Sequence, residues 1–263
     1  MKIITEHEVA WDSPDHIVPW GTRRDSTRQL RFQQKLVFLM KENDFSSILD
    51  LGCAGGGYIS DMYDFGFNAV GIEGSDFSKK RNRAEWARLK DKCLFTADIT
   101  KKFRIQNDDE IKKFDIITSF EVLEHIKEED LCGLFRNISD HTSDHALLIL
   151  SVTTCDDMKN GINLHQTVHP KAWWLKKFNE FGWTENHELI NYFNGQYLRG
   201  KRFGAPISFE VVLNKKSTSE KPFQYKFAKP NLKSKLIDLY HGSKLHKLIK
   251  LLYQGCGSYS ENL

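Results

Sequence analysis

The chain has 263 residues, of which 40% are hydrophobic and 28% charged, a profile typical of a soluble globular protein with one large domain and room for a small appendage. Its formal net charge of +3 is too small to indicate a nucleic-acid-binding protein. The five cysteines are scattered without a C-x-x-C spacing, which argues against a disulfide framework or a zinc site and favours the cytoplasm. No stretch is apolar over the roughly 18 residues that a membrane span needs.

The first 45 residues are predicted to form an N-terminal arm and a helix that cover the functional site. Prolines and a glycine break residues 1–27, which are therefore predicted to be irregular. Apolar residues at helical spacing predict a helix over 29–41. The arm also carries three arginines, which are either a solvated basic loop or a lid that contacts a carboxylate or phosphate: Arg23, Arg24 and Arg28.

Residues 46–214 alternate between short apolar strands and amphipathic helices. This order predicts a doubly wound, Rossmann-like α/β domain, in which a mostly parallel seven-stranded sheet has helices on both faces. The predicted strands are 47–51, 68–73, 93–97, 114–120, 146–152, 188–193 and 207–213. The predicted helices are 56–65, 78–89, 128–139 and 170–181.

The last segment, residues 215–263, is strongly basic. It has ten lysines and three acidic residues, a formal charge of +7, and is predicted to be a linker over 215–230 followed by an amphipathic helix over 231–253. One interpretation is peripheral contact with the inner face of an anionic membrane. The other is that its leucines pack on the domain or on a second subunit. The sequence carries no signal for an oligomeric state.

A glycine-rich turn follows the first strand of the predicted sheet, in the sequence Asp50-Leu51-Gly52-Cys53-Ala54-Gly55-Gly56. Glycine lets the backbone approach a ligand closely, and open α/β sheets bind ligands at the carboxyl ends of their strands. The turn lacks the Gly-Lys-Ser/Thr ending of a phosphate-binding loop and is not a G-x-G-x-x-G motif. It is therefore a cofactor site of another kind or a plain strand-to-helix turn.

Acidic residues also end the next two strands. Glu73 lies about 20 positions after the turn, where an acid accepts hydrogen bonds from the ribose of an adenine nucleoside. Asp98 ends the third strand and is placed to receive an adenine amino group. Both NAD and S-adenosylmethionine contain such a nucleoside, so the acids alone do not separate the two cofactors.

The turn resembles the D-x-G-x-G-x-G motif of class I S-adenosylmethionine-dependent methyltransferases, with Ala54 in place of the middle glycine. Residues 114–126 resemble their fourth-strand motif, in the version found in ubiquinone-biosynthesis-type and other small-molecule O-methyltransferases. The resemblance implies S-adenosylmethionine as cofactor and a set of residues that bind it: Asp50, Gly52, Ala54, Gly56, Glu73, Gly74, Asp98, Ile99, Phe120 and Glu121.

The fourth-strand motif continues as E-x-x-E-H and is followed by two histidines, His165 and His169. The arrangement resembles the metal site of small-RNA 2′-O-methyltransferases, which implies a divalent cation that holds two hydroxyls and lowers the pKa of one. Otherwise the motif residues only shape the loop. The ligands predicted for the cation are Glu121, Glu124, His125 and His169.

Without a cation, His169 or His165 is predicted to be the general base, with Glu121 as the other catalytic residue, because an ordinary histidine pKa suits a base at neutral pH. Each histidine has the alternative of an ordinary loop position. Trp173 and Trp174, which follow closely, are either core residues or a platform for a sugar.

Together these features predict an S-adenosylmethionine-dependent methyltransferase that methylates the oxygen of a hydroxylated small molecule, a sugar nucleotide or a surface glycan, as in polysaccharide biosynthesis. One alternative is ribose 2′-O-methylation of RNA with the E-x-x-E-H metal site. The absence of a recognisable RNA-binding module argues against nucleic acid as the substrate. The other alternative is a catalytically silent cofactor-binding scaffold.

Overall fold

The computed structural model describes residues 1–17, 28–198, 208–216 and 223–228, together with Leu232 and Leu236. Its strands are β1 (Lys2–Thr5), β2 (Ser47–Leu51), β3 (Asn68–Glu73), β4 (Leu94–Thr96), β5 (Phe103–Asn107), β6 (Glu110–Ile111), β7 (Phe114–Phe120), β8 (Thr142–Val152), β9 (Met158–Lys159), β10 (Ile162–Asn163), β11 (Trp183–Glu185) and β12 (Phe209–Lys215). Its α-helices are α1 (Leu30–Glu42), α2 (Gly57–Asp64), α3 (Phe77–Lys80), α4 (Trp86–Leu89), α5 (Leu131–His141), α6 (Lys171–Glu180) and α7 (His187–Phe193).

Seven strands form the central sheet in the order β11-β12-β8-β7-β2-β3-β4. The five strands from β8 to β4 are parallel, whereas β12 runs antiparallel to both β8 and β11. The chain leaves β2 toward β3 on one side and later returns to β7 on the other. Such a reversal of direction opens a crevice at the carboxyl ends of the strands. The predicted Rossmann-like sheet is confirmed.

Helices cover both faces of this sheet, because successive residues of its strands point to opposite sides. In β2, Ile48 packs in the cluster that holds α1, α2 and α7, whereas Leu49 and Leu51 pack in the cluster that holds α5 and α6. Helix α1 buries the side chains of Phe32 and Leu36 completely. Full burial of such a side chain stabilises a fold by about 1.5–3 kcal/mol. Helix α1 is therefore part of the core of the domain.

The helix predicted over 78–89 is wrong in its extent. The structure has two single turns there, α3 and α4, separated by Asn82 and Ala84 with φ values of 49° and 45°. A left-handed backbone conformation ends a right-handed helix. Nothing in the side chain of Ala84 indicates such a conformation.

The strand predicted over 188–193 is wrong in type, since these residues form most of α7. The side chain of Asn186 caps this helix by accepting a hydrogen bond from the backbone N–H of Leu189 at 3.0 Å. Asparagine is a preferred N-cap residue, so the signal was present in the sequence. The edge strand of the sheet is instead the preceding segment, β11, which pairs with β12.

The N-terminal arm is also more regular than predicted. Strand β1 pairs antiparallel with β5, which pairs with β6, and the three form a small second sheet. His141, at the end of α5, supports this sheet by accepting a hydrogen bond from the backbone N–H of Ile105 at 3.0 Å. The start of the arm is thus attached to the domain.

Residues 223–228, which we call the C-terminal strap, lie against the domain and are not a free linker. Phe223 stacks on His145 with ring centroids 4.1 Å apart, and Phe227 contacts Tyr192. The side chain of Asn43 donates to the backbone carbonyl of Lys226 at 2.6 Å and accepts from its N–H at 2.7 Å.

The predicted basic helix over 231–253 lies outside the described residues, except for Leu232 and Leu236, which are exposed. Among the residues that the structure does describe, none belongs to a helix with the length and apolar character of a membrane span.

Candidate functional site

A cavity of about 430 Å³ opens at the carboxyl ends of β2, β3 and β7. Its wall contains most of the residues that the sequence predicts to bind a cofactor: Gly52, Ala54, Glu73, Gly74, Asp98, Ile99, Phe120 and Glu121. Asp50 and Gly56, which complete the predicted set, are not part of the wall. The parallel strands thus bring residues from four separate sequence positions to one place.

The glycine-rich turn fits closely against its neighbours. Gly52 has a φ of 82°, and a Cβ atom there would lie 2.3 Å from Cγ2 of Val122. Gly56 is the N-cap of α2 with a φ of 81°, and its Cβ would lie 2.5 Å from Cδ1 of Leu94. Both positions require glycine, because a side chain would be strained and would clash. The turn therefore keeps its backbone exposed to the cavity at Gly52.

Asp50 supports the turn from behind and is 2% exposed. It accepts a hydrogen bond from the hydroxyl of Thr118 on β7 at 2.6 Å. This bond ties β2 to β7 just below the cavity. Asp50 therefore holds the turn in position and does not itself line the cavity, whereas the resemblance implies that it binds the cofactor.

Glu73 ends β3 with its carboxylate at the cavity. One oxygen accepts a hydrogen bond from the backbone N–H of Ala54 at 2.7 Å, and the other accepts from Ser75 at 3.3 Å. Burial raises the pKa of this carboxyl, against the effect of these two bonds. Each carboxylate oxygen has more than one lone pair, so both can still accept from hydroxyl groups of a ligand.

Asp98 follows β4 and lies beside Glu73 in the cavity wall. Its Oδ1 atom accepts hydrogen bonds from the backbone N–H and the hydroxyl of Thr100, at 2.9 and 2.7 Å. The side chain of Ile99 adds an apolar surface to the same wall. An acceptor next to an apolar surface suits an aromatic ring that carries an amino group.

Residues 7–17, which we call the N-terminal strap, close one side of the cavity. Its backbone is bound at two points: Ala10 donates to the carbonyl of Gly74 at 2.9 Å, and His7 accepts from the N–H of Asp98 at 2.8 Å. Six of the seven residues 10–16 contribute to the wall, all except Trp11: Ala10, Asp12, Ser13, Pro14, Asp15 and His16. This part of the predicted lid does lie at the site.

Of the three arginines of the arm, Arg28 lies outside the cavity wall, and the other two are not among the described residues. Arg28 forms ion pairs with Asp61 and Glu85, each at 2.9 Å, and none of the three lines the cavity. Arg23 and Arg24 are not among the described residues.

Glu121, the first residue of the E-x-x-E-H motif, lines the cavity in a left-handed conformation with a φ of 57°. Its Oε2 atom accepts hydrogen bonds from the hydroxyls of Thr153 and Ser208, the latter at 2.7 Å. Its Oε1 atom is buried and has no hydrogen-bond partner among the described residues. The protein thus fixes one carboxylate oxygen of Glu121 by two hydrogen bonds and buries the other.

Glu124, the second acid, lies beneath the loop and is fully buried. Burial, with Glu121 nearby, raises the pKa of its carboxyl to about 8. Its Oε1 accepts from the backbone N–H of Thr153 at 3.2 Å, and its Oε2 has no partner within the part of the chain that is described. Its backbone carbonyl accepts from Gln166 and Thr167, which joins the two loops of the site.

His125 lies in the cavity wall, although the sequence pointed to other histidines as the base. Its Nδ1 atom is 3.0 Å from Oδ1 of Asp15 in the N-terminal strap. Burial acts to lower the pKa of this imidazole, but the Asp15 carboxylate outweighs burial and the pKa is raised. A carboxylate on one ring nitrogen orients an imidazole and increases its basicity.

His165 packs behind His125, with the two rings edge to face and 4.7 Å apart. It is buried, and its Nδ1 atom is hydrogen-bonded to the carbonyl of Cys155. Among the described residues, the group whose ligand atoms lie within 4.8 Å of one another is Glu124, His125 and His165. The predicted set of four cation ligands is therefore corrected, because Glu121 and His169 lie outside this group.

His169 lies away from the cavity wall. Its ring stacks on that of Trp173 at 4.0 Å, and its Nε2 atom is 3.4 Å from Oε2 of Glu128. Trp174 is fully buried and belongs to the core. The prediction of His169 as the general base is thus corrected, because His169 lies just before α6 and outside the cavity wall.

Comparison with known proteins identifies the family of the chain. The sequence profile of a methyltransferase domain matches residues 24–201, which is more than half of the chain. The chain belongs to this methyltransferase family. No curated protein matches it significantly in sequence.

Solved structures show that the methyltransferase domain has the fold of S-adenosylmethionine-dependent enzymes. The 1,6-didemethyltoxoflavin-N1-methyltransferase of Burkholderia thailandensis is 11% identical, with a TM-score of 0.54 over 77% of this chain and 87% of that one. An S-adenosylmethionine-dependent methyltransferase of Clostridium acetobutylicum is 15% identical, with a TM-score of 0.51 over 77% of this chain and 97% of that one. The ubiquinone-type subclass stays a prediction.

The methyltransferase domain also has site residues that the sequence interpretation missed. Asp12 and Asp15 come from the N-terminal strap, and Asp157 and Gln166 come from the loops on either side of β9 and β10. None of them directly follows a strand, so the position of a strand end does not predict any of them. Asp15 comes directly after Pro14, within a segment that the sequence marks only as broken.

Proposed function

We propose that the chain transfers a methyl group from S-adenosylmethionine to an oxygen of a hydroxylated small molecule, a sugar nucleotide or a surface glycan. The observation that supports this most directly is the single cavity that joins Glu73 and Asp98 with Glu121 and His125. The first two suit the nucleoside of the cofactor. The last two provide a carboxylate and a base at the other end.

The chain's residues hold the cofactor by groups already in place. Glu73 accepts hydrogen bonds from the two ribose hydroxyls, and Asp98 accepts from the adenine amino group beside Ile99. The Gly52 turn leaves space for the amino-acid part. When bound, S-adenosylmethionine supplies a methyl group activated by a positively charged sulfur.

The acceptor end has to align a hydroxyl with that methyl group and to take up its proton. His125 is the base in this proposal, in place of His169 and His165, because it lines the cavity and contacts Asp15. Alignment of two groups within one cavity lowers the barrier by removing the entropy of encounter. Proton transfer to a positioned base contributes about 10²–10⁴-fold.

Cofactor binding is tested first, by thermal and urea unfolding with S-adenosylmethionine or its demethylated product. At 100 times the dissociation constant the ligand should stabilise the fold by about 2.7 kcal/mol. Glu73→Gln should lose most of this gain, since it weakens the acceptor for the ribose. Asp76→Asn is the matched control, because Asp76 is outside the cavity wall and pairs with Lys80. Stabilisation by NAD and not by S-adenosylmethionine would refute the proposal.

The acceptor is tested with a radiolabelled methyl group offered to free sugars, sugar nucleotides, cell-surface glycan and RNA. The proposal expects label in one of the hydroxylated small molecules or in glycan. Label in RNA alone would favour ribose methylation, and cofactor binding without label in any acceptor would favour the silent scaffold.

A second candidate is transfer assisted by a divalent cation at Glu124, His125 and His165. It is favoured by the buried, unpartnered Oε2 of Glu124 and by the Nδ1 atoms of both histidines, which face oxygen atoms of Cys155 and Asp15. Their Nε2 atoms remain as ligands, a donor set that suits transition metals. Excess chelator should then abolish transfer and Mn²⁺ or Zn²⁺ should restore it. Full transfer in chelator would exclude this candidate.

A further inference from the structure

Ala54 takes the place of the middle glycine in the glycine-rich turn, and its backbone is left-handed with a φ of 49°. Alanine rarely adopts this conformation, because its Cβ atom crowds a neighbouring carbonyl oxygen, whereas glycine adopts it freely. Ala54 also lines the cavity, as does Gly52. A contact with the rest of the fold must therefore hold this part of the turn in its shape.

Hydrogen bonds fix the peptide groups on both sides of Ala54. Its N–H donates to Oε2 of Glu73 at 2.7 Å, and its carbonyl accepts from Nε1 of Trp86 at 2.8 Å. The next carbonyl, that of Gly55, accepts from the backbone N–H of Glu85 at 3.2 Å. The start of α4 thus holds two successive carbonyls of the turn. Ala54 cannot relax to a right-handed conformation without breaking one of these bonds.

The position of Trp86 suits it to hold the turn. Its side chain is completely buried and is not part of the cavity wall, so it contacts the turn without contacting the cavity. The ring packs in the core cluster that holds α1 and α2, which limits its movement. A buried backbone carbonyl that loses its donor costs free energy, because no water replaces the lost bond.

We propose that Trp86 is a positioning residue for cofactor binding, which holds Ala54 in the left-handed conformation and so keeps its N–H on Glu73. In the proposed function Glu73 accepts from the ribose, and the bond from Ala54 fixes one of its two carboxylate oxygens. Trp86 therefore acts on the ribose site through the backbone of Ala54. This inference rests on the proposed function, because it takes the turn and Glu73 as the cofactor site.

The test is calorimetric titration of the full chain with S-adenosylhomocysteine, which gives a dissociation constant without an acceptor. Trp86→Phe removes the N–H and keeps an aromatic ring, and it should weaken binding about fivefold, the usual effect of one lost hydrogen bond. Trp174→Phe is the matched control and should leave the dissociation constant unchanged. Trp174 is also completely buried, but its Nε1 atom has no hydrogen-bond partner among the described residues.

The variant Ala54→Gly separates positioning from a general loss of packing. Glycine adopts a positive φ without help, so Ala54→Gly alone should bind like the unmodified chain. In its presence Trp86→Phe should weaken binding less than about twofold, since the turn no longer depends on the indole. If Trp86→Phe does not fold, benzothienylalanine at position 86 makes the same test, because it keeps the double ring and has sulfur in place of the N–H.

Two results would overturn the inference alone. One is an equal loss of affinity from Trp86→Phe with and without Ala54→Gly, because the effect would then come from packing and not from the conformation of Ala54. The other is an unchanged dissociation constant in a folded Trp86→Phe protein. Failure of the unmodified chain to bind S-adenosylhomocysteine would instead overturn the proposed function and the inference together.

Discussion

The two ends of the cavity are built in different ways. The end that we propose for the cofactor's nucleoside, the nucleoside end, consists of residues at the carboxyl ends of parallel strands, as with Glu73 and Asp98. The end that we propose for the acceptor, the acceptor end, consists of loops and of the N-terminal strap, with Asp15 and His125 in contact across more than 100 residues of sequence. The fold itself fixes the first end, whereas the second depends on segments that can differ without changing the sheet. The first end can therefore stay the same while the second end changes.

The largest effect is expected on turnover, when the proposed base at the acceptor end is removed. His125→Ala should reduce turnover by about 10²–10⁴-fold and leave the affinity for S-adenosylhomocysteine near that of the unmodified chain. His169→Ala is the matched control and should retain turnover, since His169 lies outside the cavity wall. Steady-state rates with the acceptor found in the labelling screen measure both. A loss of turnover in His169→Ala as large as that in His125→Ala would contradict the assignment.

A smaller effect is expected at the nucleoside end from Gly52→Ala. The substitution adds a side chain at a φ of 82° and places its Cβ 2.3 Å from Val122, so the fold should lose about 1–3 kcal/mol. Urea unfolding measures the loss. Adding Val122→Ala should recover only the part due to the clash, because the backbone strain remains. Full recovery in the double variant would mean that the left-handed conformation has no cost at this turn.

The smallest effect concerns the attachment of the arm that carries the N-terminal strap. His141 is buried, its Nδ1 atom is 2.8 Å from the carbonyl of Asn137, and its Nε2 atom accepts from Ile105 on β5. Burial lowers the pKa of this imidazole, so the folded state favours the neutral form. Its contribution to stability is complete above the unfolded pKa of about 6.5 and is lost as the pH falls below that value toward the folded pKa.

Unfolding free energies at pH 7.5 and 5.5 measure this contribution. His141→Asn should lose less stability between the two values than the unmodified chain, by about 1 kcal/mol or less. His187→Asn, at an exposed histidine, should behave like the unmodified chain. An equal loss in His141→Asn and in the unmodified chain would remove His141 from the acid response.

The sequence predicted the sheet and the nucleoside end because both depend on local patterns. The apolar run of β2 and the glycines of the Gly52 turn can be recognised from adjacent residues, and parallel strands bring Glu73 and Asp98 to one edge of the sheet. The acceptor end depends on contacts between distant segments. No local pattern shows that Asp15 reaches His125, or that His169 stacks on Trp173 and so turns away from the cavity.

The two segments whose secondary structure was predicted wrongly each have a specific reason for the error. Residues 188–193 contain too few turns for helical periodicity to outweigh their apolar and aromatic character, and only the cap at Asn186 distinguishes the helix. Residues 78–89 have a helical composition, but Asn82 and Ala84 adopt left-handed conformations there, and the buried Trp86 is fixed by a hydrogen bond from its Nε1 atom to the carbonyl of Ala54 at 2.8 Å.

The C-terminal strap determines where the chain can be shortened. Removal of everything after β12 would delete Phe223, Tyr225 and Phe227 and uncover the aromatic rings of Phe45 and Tyr192, which they contact. A change in vesicle binding by such a protein would therefore not report on the basic tail alone, because these rings would be exposed as well. A deletion that begins after Ala228 keeps those rings covered and removes the lysine-rich segment alone. Salt-sensitive binding to anionic vesicles by the full chain, absent from this shorter protein, would then report on the tail itself.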